Sequence, residues 1–457
     1  MGIMQFDEFK EKLFAAAKKA GFEEFEAYYS TGESFKVNIY EREIDDYSVN
    51  STNGLGFRGL YNGSIGYAYT EILDDKAIDL IINNAKENAK IIDSSNDEDI
   101  ERIFEGSEKY PEINNYNQEL ENVSENDKIE FAFEMEKKAL EKDKRVKSVK
   151  YCAVASFSGS VTIVNSKGLE LHSRENGIYS ILIPVVNENG KSDTAVAFRI
   201  GRDFRQMHVE DIVNEAVENA LAYIGASSVK TGKYKILLRN DAAADLLAAF
   251  SPIFSADRVQ KGMSLLKNKV GKKIGSEALT IIDDPLMKDG MASTPFDGEG
   301  VACYTKEVVK EGNLVTLLHN LKTARKDGVK STGNASRPSY SSTIDVSPSN
   351  FYIKPDNLEF NRLIEEIGDG LLITELQGLH SGANSISGDF SLAAKGFEIS
   401  NGKIKRPVEQ ITVSGNFYNV MENVISVGND LKFGLPSGYG CFGSPSLYIR
   451  ELAVAGQ

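Results

Sequence analysis

The chain has 457 residues, 67 acidic against 52 basic side chains and a net charge of −15. That length predicts two or three domains, and so acidic a surface excludes a phosphate-neutralising face, so no nucleic-acid partner is expected. Apolar runs as short as ILIPVV (181–186), an N-terminus without a secretory pattern and three dispersed cysteines, Cys152, Cys303 and Cys441, point to a cytoplasmic protein with reduced thiols and no membrane partner.

Residues 4–20 place Phe6, Phe9, Leu13, Phe14 and Ala17 on one helical face, and Gly21 closes the run. The strand-like runs EAYYS, SFKVNIYE and GLGFRGLYNGSIGYAYT follow, the last folding at Asn62-Gly63, a pair suited to a type I′ hairpin turn. The spacing of Ala77, Leu80, Ile81, Ala85 and Ala89 predicts an amphipathic helix over 73–91. Residues 92–126, acidic and poor in β-branched side chains, read as a long surface connection. A helix at about 127–143 precedes strands at 146–156, 160–165, 169–176, 178–187 and 193–200, with a turn at Asn187–Gly190. A helix at about 208–225 closes this half, and SSVKTGKY (227–234) reads as a linker.

The second half opens with the strand YKILLR and a helix over 241–251, then alternates strands with Gly-rich turns; helices are predicted at about 359–366 and 416–425. Without a regular βαβ rhythm the expected fold class is α+β with large antiparallel sheets. The expected division is an N-terminal α+β domain over 1–226 and a β-rich C-terminal domain over 234–457. Subdomains at about 1–91 and 127–226, joined by the acidic connection, would make up the first.

Residues that could carry chemistry are sparse. His172, His208, His319 and His380 are far apart, so no two lie on adjoining helical turns as a zinc helix requires. GLHSGANSISGDF (378–390) holds His, Ser and Asp together, but neighbours on an extended chain point to opposite faces, which speaks against a triad. Its glycines and serines fit a tight packed loop or a backbone-lined ligand loop. Asp297 and Glu299 could serve acid–base work or bind a cation, although alternation on a strand makes them solvated charges first. Asp241 reads as a helix N-cap, Arg337 as a turn residue able to grip a carboxylate, and KNKVGKK (267–273) as solvated surface. In LLAAFSPIFSADRVQKGMS (246–264) an apolar helix meets Pro252 and breaks into a polar loop, a form that often presents chemistry, yet it contains no His, Cys or Glu.

Taken in order, PFDGEGVA, LLHNLKTARKDGVKSTGNASR, GLHSGANSISGDFSLAAKGFEISNGK and VSGNFYNVMENVISVGNDLKF closely resemble the TldD/PmbA family, also labelled modulators of DNA gyrase. In that family, TldD-type chains carry His-Glu-x-x-x-His on a helix and a C-terminal cysteine that together hold zinc; PmbA-type chains, also called TldE, lack these ligands. Aligned on Lys261-Gly262-Met263-Ser264, the three helix positions here are Leu247, Ala248 and Pro252, and Cys441 falls too late to match the ligand cysteine. Leucine and alanine offer no lone pair, and proline interrupts a helix.

The resemblance implies a non-catalytic PmbA/TldE-type subunit with no metal or other cofactor of its own, zinc being expected in a TldD-type partner. The pair would hydrolyse extended peptides, and alone the chain would form a homodimer. The peptide is expected on a strand edge beside the 378–390 loop, with His380, Gly382, Asn384, Gly388, Asp389 and Arg337 as candidate contacts. The alternatives are an autonomous metal-independent hydrolase using Asp297/Glu299 or His380, and a non-enzymatic homodimeric peptide-binding module.

Overall fold

Phe25, Ala27, Phe35, Val37 and Ile39 alternate along one strand, and all are buried on the same face. That strand, Glu24–Tyr40, is at the centre of a seven-stranded antiparallel sheet in a computed structural model that describes residues 4–91, 102–438 and 440–457. Residues 92–101, the first part of the expected surface connection, and Tyr439 lie outside the described residues. The strand order is Ser64–Thr70, Glu43–Tyr61, Glu24–Tyr40, Val146–Asn165, Glu170–Glu188 and Lys191–Thr194, and Ala197–Gly201 also pairs with Glu170–Glu188.

The longest strand has 20 residues, or about 60 Å at ~3.3 Å per residue, enough to carry two helix pairs side by side. Helices Phe6–Ala20 and Asp75–Ile91 cover one end, with Phe9, Leu13 and Ile81 meeting Phe25 and Phe57. Helices Glu125–Lys142 and Val209–Ala222 cover the other, with Met135, Ile212 and Ala216 meeting Val37 and Leu182. Gly21 at φ 91 ends the first helix, and the Asn62-Gly63 turn has both residues left-handed, at φ 49 and 81.

The strand breaks expected near 157–159 and at 177 do not occur: Val146–Asn165 and Glu170–Glu188 run unbroken. Several glycines of this sheet mark close approach of the second half. A Cβ on Gly177 would lie 2.7 Å from the Met291 methyl, and one on Gly54 2.5 Å from the Tyr340 ring.

Five strands of the C-terminal half close into a barrel. Lys403–Asn416, Asp389–Ser400, Gly370–Gln377, Gly232–Leu238 and Leu447–Ala455 pair in that order, and the last returns to pair with the first. A second, six-stranded sheet has the order Asn313–Leu314, Lys306–Lys310, Ile281–Asp283, Asn350–Ile353, Cys441–Ser444 and Lys432–Phe433. Helix Asn240–Phe250 packs against a strand of each sheet, Gly370–Gln377 and Cys441–Ser444. The fold is thus α+β with large antiparallel sheets.

Two connections are pinned to the folded halves. Residues 102–126 run mostly over the surface, as expected, but are anchored: Ile103 is buried, and the Tyr110 hydroxyl donates to the Gly300 carbonyl at 2.8 Å. The 227–234 stretch is tied into the barrel, with Val229 buried and Gly232 already in a strand. In both cases a few apolar or hydrogen-bonding residues within a polar stretch decide the path.

Candidate functional site

Strand Gly232–Leu238 delivers the chain directly into helix Asn240–Phe250. Ala242, Ala243, Leu246, Leu247 and Phe250 form its buried side, and Phe250 stacks on Phe417 with centroids 4.7 Å apart. Asp241, Ala244, Asp245 and Ala248, spaced by three and four, line a cavity of about 510 Å³ on the other side. Pro252 ends the α-helix: Phe250 is its last residue, and Ser251–Phe254 continue as a 3₁₀ turn.

The cavity is largely apolar and unevenly charged. Asp241 is not the N-cap expected for it; the helix begins at Asn240, and Asp241 bonds Arg239 Nε and Nη2 at 2.5–3.0 Å. Asp245, one turn on, makes no hydrogen bond or ion pair among the described residues. Desolvation, then the charges of Asp241 and Glu375, push its carboxyl up to about 6. On the opposite wall Lys432 Nζ meets Glu215 Oε1 at 2.9 Å, and the Tyr223 and Thr374 hydroxyls are 2.6 Å apart. Burial opposes ionisation of Glu215, but Lys432 and Arg199 outweigh it and hold its pKa low.

Lys432–Phe433 is the terminal strand of its sheet. Gly434 N–H donates inward to the Phe442 carbonyl at 2.9 Å, so by antiparallel alternation the Phe433 N–H and C=O point outward, towards a strand that could add there. The cavity therefore offers a backbone edge, an apolar wall and an uncompensated carboxylate.

These residues do not fit zinc. Leu247 is buried in the apolar core, Ala248 ends at its methyl group, and Pro252 has no donor atom. Cys441 is also buried, its thiol turned to the Gly434 carbonyl at 3.6 Å, and desolvation raises its pKa to about 11, away from the thiolate a metal needs. Among the described residues no three His, Cys, Asp or Glu side chains converge on one point.

The other sequence candidates fall in two places. The 378–390 loop lies beside the helix, its short Leu379–Gly382 helix packing on Asn240–Phe250. His380 and Asn384 are exposed, but the Asn384 side chain accepts from Ile386 N–H and the Asp389 carboxylate accepts from Asn416. Gly382 and Gly388 are packed: a Cβ would lie 2.5 Å from the Ser391 carbonyl oxygen or 2.6 Å from the Tyr418 ring, and Gly388 is left-handed at φ +84. The strand it enters, Asp389–Ser400, pairs with Lys403–Asn416 from end to end, whereas on its other side Gly370–Gln377 reaches only residues 393–399 and the loop itself bridges Phe390 through Ala383. A terminal strand borders the cavity at Lys432–Phe433.

Arg337, Asp297 and Glu299 lie at the junction of the two halves, away from this cavity. Arg337 grips a carboxylate, as its chemistry suggested, but an internal one: Nη1 meets Glu26 Oε1 at 3.1 Å. Arg58 bonds both Glu26 oxygens, at 2.9 and 3.1 Å, and approaches Glu299 at 3.4 Å, all of them buried. Solvated charges were expected at Asp297 and Glu299; instead both are buried. Asp297 accepts from Glu299, Val301 and Ala335 N–H, while desolvation and the nearby Glu299 raise its pKa. Sequence reasoning missed Asp245, whose one signal was a second acid four residues after Asp241 in an alanine-rich face.

Comparison with known proteins shows the family. Family models described as PmbA/TldA metallopeptidase domain 1, central domain and C-terminal domain match residues 25–89, 118–223 and 231–456. A metalloprotease PmbA of Escherichia coli is 31% identical over 73% of this chain and 71% of its own. A metalloprotease TldD homolog of Buchnera aphidicola is 26% identical over 92% of each chain. Among solved structures, a Thermotoga maritima protein described as a candidate DNA gyrase modulator superposes with a TM-score of 0.90 at 34% identity, covering 99% of this chain and 100% of that one. TldE from Thermococcus kodakarensis gives 0.88 at 25% identity, covering 98% and 100%.

Proposed function

The chain belongs to the PmbA/TldD metallopeptidase family, and on that premise we propose that it is the non-catalytic, PmbA/TldE-type subunit of a TldD/TldE-like metalloprotease complex. What supports this reading is the helix Asn240–Phe250, which lies beneath a cavity; aligned on Lys261–Ser264, the resemblance puts Leu247, Ala248 and Pro252 where a TldD-type chain has His, Glu and His. The partner's zinc would supply the Lewis acid and activated water for peptide hydrolysis. This chain's share is to hold substrate: an extended peptide adds to the Phe433 edge, satisfying its backbone with little demand on sequence, while the apolar wall covers one face. The 378–390 loop, with His380 and Asn384 exposed beside the helix, borders the same region. Without the partner the chain pairs with itself, because in this reading both branches share the outline of the contact surface.

Co-expression with a TldD-type chain from the same source tests the assignment. Peptide cleavage is expected from the mixed complex, lost on adding a chelator, with zinc tracking the partner. Cleavage by this chain alone, undiminished by chelator, would overturn it and favour the autonomous hydrolase. Light scattering of the isolated chain should report a dimer at micromolar concentration; monomer alone would remove the self-pairing.

A further inference from the structure

A second cavity, of about 540 Å³, lies between the N-terminal sheet and loops of the C-terminal half. Its floor includes a row across four adjacent strands: Thr52 pairs with Gly32, Gly32 with Gly159, and Gly159 with Glu175. At the strand spacing of ~4.8 Å this row spans about 14 Å. Other glycines on the same sheet face are explained by the chain itself, since Tyr340 packs onto Gly54 and Gly56, and Met291 onto Gly177. Gly32 and Gly159 are different. A Cβ on either would meet Thr52 Oγ1 at 2.9 Å or the Thr31 carbonyl oxygen at 3.2 Å, both in the sheet, and no atom of the opposing half's described residues lies within 4 Å. Paired glycines weaken a sheet, and here no described residue fills the space they open.

The charges lining this cavity are engaged, with one exception. Arg337 is paired with Glu26, and the Arg174 guanidinium stacks on the Tyr116 ring at 3.9 Å. Asp297 receives three backbone N–H groups. Glu175 makes no hydrogen bond or ion pair among the described residues. Arg202, the cation acting on it from a distance, donates instead to the carbonyls of Asn115, Asp289 and Gly290. Glu175 is exposed to solvent where it lines the cavity, so a cation entering there meets a carboxylate with no partner among the described residues. Ser30, Thr52 and Ser173 line the same wall, and their hydroxyl oxygens can accept hydrogen bonds.

We propose that this cavity binds a primary ammonium group carried on an unbranched chain, with Glu175 taking the charge, the hydroxyls accepting its remaining N–H bonds, and the Gly32–Gly159 saddle admitting the chain. A lysine side chain of a peptide and a free polyamine share this chemistry. The site is separate from the cavity over Ala248 and stands whether or not that cavity holds substrate.

Isothermal titration calorimetry on the full chain, with spermidine, acetyl-Gly-Lys-Gly-amide and acetyl-Gly-Glu-Gly-amide as probes, tests it. At least one cationic probe should bind and the glutamate peptide should not; spermidine alone marks a polyamine site, and the lysine peptide, with or without spermidine, a site that takes peptide. Glu175→Gln should weaken that binding at least tenfold, and Gly159→Val should abolish it, with circular dichroism and Tm confirming the fold. Should Gly159→Val fail to fold, Gly159→Ala replaces it, with at least a threefold loss expected. Absence of binding by both cationic probes, binding of the glutamate peptide, or unchanged affinity in Glu175→Gln would overturn the proposal.

Discussion

At the junction of the two halves Arg58 gives its guanidinium to both oxygens of Glu26 and approaches Glu299, while Arg337 joins from the C-terminal side. In the cavity over helix Asn240–Phe250 the same kinds of side chain are arranged otherwise: Arg239 answers Asp241, and Asp245 faces Asp241 and Glu375 without a cation. Burial alone does not separate these regions. Partnership does. At the junction four charges contributed by distant parts of the sequence satisfy one another, so the group acts as a structural weld. In the cavity Asp245 has no such partner among the described residues.

The largest expected effect breaks the weld. Arg58→Met leaves Glu26 and Glu299 buried with less compensation and should cost about 3–5 kcal/mol in urea denaturation. A loss below about 1 kcal/mol would show that the junction tolerates an unanswered charge and would dissolve the contrast. Next comes the loop beside the cavity. Gly388→Val should cost at least about 1–3 kcal/mol, because a left-handed β-branched residue is strained and its Cβ meets the Tyr418 ring. Peptide cleavage lost in that variant would therefore reflect a collapsed loop.

The pH dependence sharpens the cavity's side of the comparison. The Asp245 carboxyl is raised from 3.8 to about 6 in the folded chain, so between those values the native state binds more protons than the unfolded one. Stability contributed by this group is present below about 4 and is lost as pH rises through about 6. Asp245→Asn should remove that decline, seen as a Tm difference from wild type that grows in the variant's favour from pH 4 to 7. A constant difference would mean that Asp245 has a cation after all. The smallest effect is expected at exposed His380: His380→Ala should change stability by no more than about 0.5 kcal/mol. A fall in peptide cleavage by the reconstituted pair would then report on substrate contact.

Elements whose signals were local were legible. The helix over 4–20 with its Gly21 stop, the Asn62-Gly63 hairpin and the α+β class all follow from periodicity and turn chemistry within a few residues. The fate of glycine was not legible, because its lack of a side chain serves a turn and a close approach equally well. Residues 157–159 and 177 read as breaks; the first are held as strand by pairing on both sides within the N-terminal sheet, and at Gly177 Met291 of the other half packs closely. Asp297 and Glu299 read as solvated by alternation, since nothing near them in the sequence announces Arg58 some 241 positions away from Glu299.

For the candidate site the division is similar. The sequence by itself determined that Leu247, Ala248 and Pro252 bring no lone pair and no transferable proton to their helix, because that is a property of the side chains whatever surrounds them. Only the tertiary structure decided that Ala248 faces a cavity while Leu247 faces the core, that the terminal strand Lys432–Phe433 borders that cavity, and that Asp245 and Glu175 have no hydrogen-bond or ion-pair partner among the described residues. Those facts depend on which strands pair and which charges meet across hundreds of residues, and desolvation and ion pairing act through space without regard to distance along the chain.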